Sequence, residues 1–380
     1  MSAQYDKSAR VLLNGNITLR SPELFLYASL MYAKGGSFEK AAEAMLLAIE
    51  AGMTNWNILA KDRALDTVRY STHWPGIESG LQNMREYLSE PSNFQVSIRP
   101  LERFLTISEK MENEDYTSQA FKKFVLEGSA GVRDFYVVSY KNIENATRVV
   151  QDSFQIYQTL HEILQTGALD SIEKSIKEHI ITFSKHFEDG TYPPVYLMPG
   201  IFKSGGTATN TGLFIGVEKV IQNSTLRNDR VDFTSARKSL EDIPYTVFHE
   251  LMHFQQAYGN DEPGKVIYKV LEEGSATFLT TLFTDGSIDS ISFAFLRNES
   301  NMKIALKRLK KDLYTENVSN WVYNEGSPEW PTDIGYHLGA EICRSYYLRQ
   351  TDKRLAIHRL LRTDDLTEII SSSKYAWLLD

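Results

Sequence analysis

"YTVFHELMHFQQ", residues Tyr245 to Gln256, carries two histidines four positions apart with a glutamate directly after the first. On a helix, positions i and i+4 lie on one face, one turn apart. His249 and His253 would therefore point the same way and could share one ion. Glu250 falls about 100° round the helix, close enough to touch a water on that ion but out of line as a third ligand. Asp242 suits a helix cap and Pro244 a first helical turn, so the stretch has a helix start of its own. Phe248, Leu251, Met252 and Phe254 supply an apolar surround. A core helix with two satisfied histidines would show the same surround, and that is the reading a lone histidine would earn. The full pattern favours a metal site with an adjacent base.

The rest of the composition narrows the choice of ligands. The 380 residues contain one cysteine, Cys343, which excludes an intramolecular disulfide and a paired-cysteine zinc site. Any metal must be held by histidine and carboxylate. Cys343 itself reads as a small core residue. The net charge of −8 argues against a nucleic-acid partner, which would call for a basic face. No apolar run is long enough to span a bilayer. The start, "MSAQYDKSAR", lacks the apolar core of a signal peptide. A cytoplasmic location follows if Met1 is the native start, and a periplasmic or exported one if a signal peptide has been removed.

Upstream, residues 21–90 read as helical. "LFLYASLMYAKGGSFEKAAEAMLLAIEAG" places Leu26, Ala28, Met31, Tyr32 and Ala33 before a Gly35-Gly36 break, and Phe38, Ala41, Ala42, Ala44, Leu47 and Ala48 after it. Two short helices around a glycine turn are expected, resembling a single tetratricopeptide-type hairpin. This gives a helical N-terminal domain over 1–95, with "SEPSNF" (89–94) as the linker, and offers a surface to a protein partner. Residues 96–380 form the second domain. Its first part is mainly helical, interrupted by "RDFYVVSY" as a candidate strand. A helix from Ser171 places Ile172, Ile176, Ile180 and Phe183 on one face, with Asp189-Gly190 as its stop. The character then changes to β-rich runs at Val195–Met198 and Leu213–Val217, with Gly205-Gly206-Thr207 as a turn between them. "MKIALKRLKKDLY" reads as a basic amphipathic helix with a solvated face.

A third ligand should lie downstream, and "VLEEGSATFLTTLF", which reads as a helix, offers Glu272 and Glu273. The combination resembles the gluzincin metallopeptidases, in which a glutamate about this far after HExxH completes the site, often within Glu-Gly-x-Ala. Glu273-Gly274-Ser275-Ala276 matches that pattern, so the resemblance favours Glu273, although both spacings occur and Glu272 stays open. Further on, "SPEWPTDIGYHLGAEICRSYY" reads as a turn and a helix, with Thr332 or Asp333 as its cap. Gly335 and Gly339 are four apart and would permit close helix packing. HELMH, LEEGSATF and GYHLGAEI, preceded by "YLMPG…GGT…GLFIGVE", look like a family of predicted bacterial zinc-dependent proteases. That family was first described as a domain of unknown function and is related to a gliding-motility lipoprotein family. The resemblance covers about residues 140–380.

It implies an α+β fold: a zincin-like catalytic domain with a small twisted sheet, an active-site helix and a helical C-terminal subdomain, preceded by the all-α region. It implies one catalytic zinc on His249, His253 and Glu273, with Glu250 activating water for attack on a peptide bond of a peptide or protein substrate. It assigns oxyanion stabilisation to a tyrosine or histidine of a later helix, here Tyr336 or His337. It gives substrate-strand pairing to the chain between Val195 and Val217. The competing reading is a non-catalytic partner-binding protein with a structural or vestigial metal site. A metal-dependent enzyme acting on something other than peptides is a third.

Overall fold

A computed structural model describes residues 2–108, 114–203, 205–220, 240–259, 263–284, 291–327 and 329–380. Among these residues the chain is mostly helical with a small mixed sheet, an α+β arrangement. It divides into two compact units, one of residues 1–180 and 191–247, the other of residues 181–190 and 248–380. No described helix is long and apolar enough to cross a membrane.

In the first unit, the expected hairpin forms as helices Pro22–Lys34 and Phe38–Glu50. Ser21 caps the first by accepting the Leu24 amide, with Pro22 in the opening turn. Gly36 adopts φ +79°, which a side chain would resist. Alanines let the two helices approach, with Ala28, Ala41, Ala42, Ala44 and Ala48 all buried. The Ser29 hydroxyl donates to the Ala41 carbonyl, 2.7 Å away, across the same contact. Phe38, the first residue of the second helix, is exposed. "SEPSNF" contains a short 3₁₀ turn at Pro91–Asn93.

Four strands form the sheet of this unit: β1 (Val96–Ser97), β2 (Val195–Met198), β3 (Gly206–Thr209) and β4 (Gly212–Gly216). Their order is β1-β2-β4-β3, with β1, β2 and β4 parallel and β3 antiparallel to β4. Leu213, Phe214 and Ile215 are fully buried, as the interior position of β4 requires. The turn expected at Gly205-Gly206-Thr207 is not where the chain reverses. Gly206 and Thr207 belong to β3, and the β3–β4 turn is Asn210-Thr211 followed by Gly212 at φ +149°. A Cβ on Gly212 would meet the Pro194 carbonyl at 2.5 Å, so the strand start needs glycine. Of the 195–217 span expected to pair with extended peptide, only β3 lies at a sheet edge.

Two further expectations are corrected. "RDFYVVSY" is helical, as the end of Ala130–Phe135 and a π-helical turn at Tyr136–Tyr140. The aromatic and β-branched run that suggested a strand instead fills a helical core position: Phe135 and Tyr140 pack edge-on at 4.9 Å and the Tyr140 hydroxyl donates to the Pro199 carbonyl. The helix carrying Ile172, Ile176, Ile180 and Phe183 spans Leu169–Ser184, with all four buried, and ends before Asp189-Gly190.

The second unit is built round two helices, Val266–Phe283 and Ile334–Arg349. They touch backbone to backbone. A Cβ on Gly339 would sit 1.9 Å from the Val270 carbonyl oxygen, and one on Gly274 would sit 2.3 Å from the Gly339 carbonyl carbon. Gly335 instead abuts the backbone of Trp321. Cys343 is fully buried on the second of these helices, and burial pushes its thiol up. A two-stranded parallel pairing of β5 (Ala257–Tyr258) with β6 (Arg362–Thr363) ties the chain after the HExxH helix to the C-terminal region. The basic helix, Glu299–Asp312, buries Ala305, Leu306 and Leu309. The turn read at the start of "SPEWPTDIGY" includes Pro328, which lies outside the described residues.

Gly339→Ala is expected to destabilise the second unit by roughly 1–3 kcal/mol, because backbone has to move to admit the methyl. Chemical denaturation of that variant against the wild type reads this directly. An unchanged midpoint would mean the two helices do not meet at these glycines.

Candidate metal centre

The sequence HELMH lies on helix Ile243–Gln255. Phe248, Leu251 and Met252 are fully buried and Phe254 nearly so, which fixes the rotation of the helix. The two histidines are then left on a partly open face with their Nε2 atoms 3.1 Å apart. The helix Val266–Phe283 presents Glu273, only 3% exposed, to that pair. Its Oε2 lies 3.1 Å from His253 Nε2 and 3.4 Å from His249 Nε2. These three side chains form the one group among the described residues whose ligand atoms converge as a metal site would require.

The spacing fits an ion. Ligand atoms about 2.0–2.1 Å from a metal at tetrahedral angles lie about 3.3 Å from one another. The three observed separations, 3.1, 3.1 and 3.4 Å, bracket that value. Glu272 is turned elsewhere: its carboxylate pairs with Lys269 at 2.5 Å, and its carbonyl accepts from the Gln256 amide. Of the two acids left open by the sequence, the structure brings Glu273 to the histidines.

The outer contacts of the group were not anticipated from the sequence. His253 Nδ1 meets Gln256 Oε1 at 2.8 Å, and an imidazole that donates there presents Nε2 to a metal. Gln256 donates through Nε2 to Ser275 Oγ, also 2.8 Å away. Ser275 is joined to the Tyr258 hydroxyl at 2.9 Å, and Tyr258 donates to the Leu360 carbonyl. The chain of bonds thus runs from His253 through Gln256, Ser275 and Tyr258 to the backbone beside β6. Tyr323, from the loop before the glycine helix, donates its hydroxyl to Glu273 Oε1. A clue to Gln256 and Ser275 was present, since each lies two or three residues from a ligand. Tyr323 is fifty residues from Glu273 in sequence, and no local signal points to it.

Tyr336, half-buried in the first turn of the glycine helix, stacks on His249 with ring centroids 6.0 Å apart. Burial first, then the Glu273 charge, pushes its phenol well up, so it stays a hydrogen-bond donor. His337, the next residue, lies against Phe293 at 5.8 Å, and burial pushes it down to about 4, leaving it neutral at ordinary pH. Neither Thr332 nor Asp333 caps this helix with its side chain. Asp333 occupies the cap position with φ +52°, and its carboxylate accepts from the Asn324 amide instead. The Glu250 carboxylate is close enough for its charge to act on His253, Tyr323 and Tyr336.

The charge state of the metal-free group follows from its contacts. Burial works against a charge on His253, but the Glu273 charge and hydrogen bond outweigh it and raise the imidazole to about 10. Burial likewise opposes ionisation of Glu273, yet the two histidines hold it well below the usual carboxylate range. A histidine raised in the folded state stabilises fully below its unfolded value of about 6.5 and loses that contribution as pH rises through about 10. The lowered Glu273 contributes above the ordinary carboxylate range and loses that contribution as pH falls through its depressed value. A metal, however, needs His253 neutral, so binding must expel the proton. At pH 8, titration of the metal-free protein with zinc is expected to release about one proton from His253. Calorimetry in buffers of differing ionisation enthalpy would show this as a buffer-dependent heat, with affinity falling as pH is lowered. A buffer-independent heat would contradict it.

No family model, no curated protein and no solved structure matches this chain.

Proposed function

We propose that this protein is a zinc-dependent peptidase of the gluzincin type, in which His249, His253 and Glu273 hold the metal. The observation that carries the reading is the convergence of these three donors with a glutamate, Glu250, on the turn that carries His249 and His253. A purely structural site has no use for an adjacent base, and structural sites are commonly closed by a fourth protein ligand. Further support comes from the parts of the fold. A small mixed sheet with one edge strand, β3, antiparallel to its single neighbour, an HExxH helix and a helical C-terminal region are the components a zincin-like domain calls for. The hairpin Pro22–Lys34 and Phe38–Glu50 is read as tetratricopeptide-like, a surface suited to a protein partner.

Zinc on this donor set would polarise a peptide carbonyl and acidify the attacking water. Glu250 takes the proton of that water and returns it to the leaving amine. Tyr336, uncharged and stacked beside His249, donates to the carbonyl oxygen as negative charge builds on it. We assign this role to Tyr336 over His337 because the His337 ring is engaged with Phe293. Gln256 and Ser275 orient His253 throughout.

Digestion of a proteome-derived peptide library, read by mass spectrometry, tests the reading. Glu250→Gln is expected to keep its zinc and lose turnover by about 10²–10⁴-fold, since an amide cannot accept the proton. Tyr336→Phe is expected to lower kcat by about 10²–10³-fold with the metal retained. A Glu250→Gln variant as fast as the wild type would rule out the mechanism. A wild type that holds no zinc and cleaves nothing would favour the non-catalytic, partner-binding reading.

A further inference from the structure

Tyr323 is an exposed residue with a buried contact. Its residue surface is 63% exposed, yet its hydroxyl reaches a carboxylate that is 3% exposed. The side chain therefore contributes little to the core. Its backbone is also held at φ +59°, in the left-handed region that an aromatic residue rarely adopts. Asp333, at the far end of the same loop, has φ +52°. The loop is pinned in this shape from both ends. Asn324 and Asp333 exchange amide-to-side-chain hydrogen bonds at 3.3 Å in each direction, the Thr332 hydroxyl donates to the Asn324 carbonyl, and the Gly335 amide donates to the Trp321 carbonyl at 2.8 Å. The Tyr323 ring meets Tyr336 edge-on at 6.4 Å. An exposed tyrosine kept in a rarely adopted conformation, with its hydroxyl on one oxygen of Glu273, points to a task at that oxygen.

We infer that Tyr323 is a positioning residue that occupies Glu273 Oε1 and so reserves Oε2 alone for the metal. The inference rests on the metal-site reading above. A carboxylate with both oxygens free can take an ion through both. That would raise the coordination number and crowd the position a water needs in a catalytic site. With Oε1 engaged by the phenol, Glu273 offers the single oxygen that already lies 3.1 and 3.4 Å from the two imidazoles. The residue acts on the metal only through Glu273, as outer hydrogen-bond partners of metal ligands do.

Tyr323→Phe removes the hydroxyl and keeps the ring and the backbone preference. Metal-free wild type and variant would be titrated with zinc, and with cobalt(II), whose visible bands weaken as coordination number rises. The variant is expected to bind zinc about 10- to 100-fold more weakly and to show weaker, shifted cobalt bands. A purely structural role would move the unfolding midpoint and leave the cobalt bands unchanged, and that result would overturn the inference. Equal zinc affinity and identical bands would overturn it too, with the metal site itself intact. A wild type that binds no zinc would remove the metal site and this role together, so the wild-type isotherm separates the two failures.

Discussion

An ionised carboxylate at 3% exposure is untenable unless something compensates it, and Glu273 is compensated by two imidazoles and a phenol. Much else in the second unit serves that meeting. The HExxH helix is rotated by its buried apolar face so that His249 and His253 are delivered together. His253 is held from behind by Gln256, and Gln256 by Ser275 on the helix that carries Glu273. The same few hydrogen bonds that satisfy buried polar groups therefore also fix the donors relative to one another. The Glu273 charge favours a proton on His253, and the same three side chains could hold a metal ion.

The glycine contact sets the height of Glu273. Helices whose side chains interleave usually stand 8–10 Å apart. Here Gly274, immediately after the ligand, lies against Gly339, with no room for a methyl group on either. The close approach draws the helix bearing Tyr336 over the histidines, and the loop bearing Tyr323 leads into that same helix. A larger residue at either glycine would push away the aromatic side chains that complete the centre.

The parts of this arrangement that were legible in the sequence are those governed by local periodicity. HExxH fixes two donors and a base because a helix repeats every 3.6 residues, and the positions of Phe248, Leu251 and Met252 fix its rotation. Gly335 and Gly339 announced a close approach, although only Gly339 meets the other helix while Gly335 meets the Trp321 backbone. The choice of Glu273 over Glu272 needed the tertiary structure, because neighbouring residues on a helix differ by only about 100° of rotation. Glu273 lies against the two imidazoles, while Glu272 pairs with Lys269. Tyr323 was invisible because its contact depends on a loop conformation that no local signal encodes. "RDFYVVSY" misled for a related reason: aromatic and β-branched residues suit a strand, but tertiary burial of Phe135 and Tyr140 outweighs that preference. The sheet runs at Val195–Met198 and 213–216 were found, while the turn between them was misplaced because glycine and threonine serve a strand edge as readily as a bend.

The proposed centre places one metal ion on His249 Nε2, His253 Nε2 and Glu273 Oε2. Crystals of the zinc-loaded protein, measured on both sides of the zinc absorption edge, test it most directly. A single strong anomalous peak is expected within about 2.0–2.2 Å of those three atoms. A peak elsewhere, or zinc-saturated protein with no peak between these side chains, would contradict it.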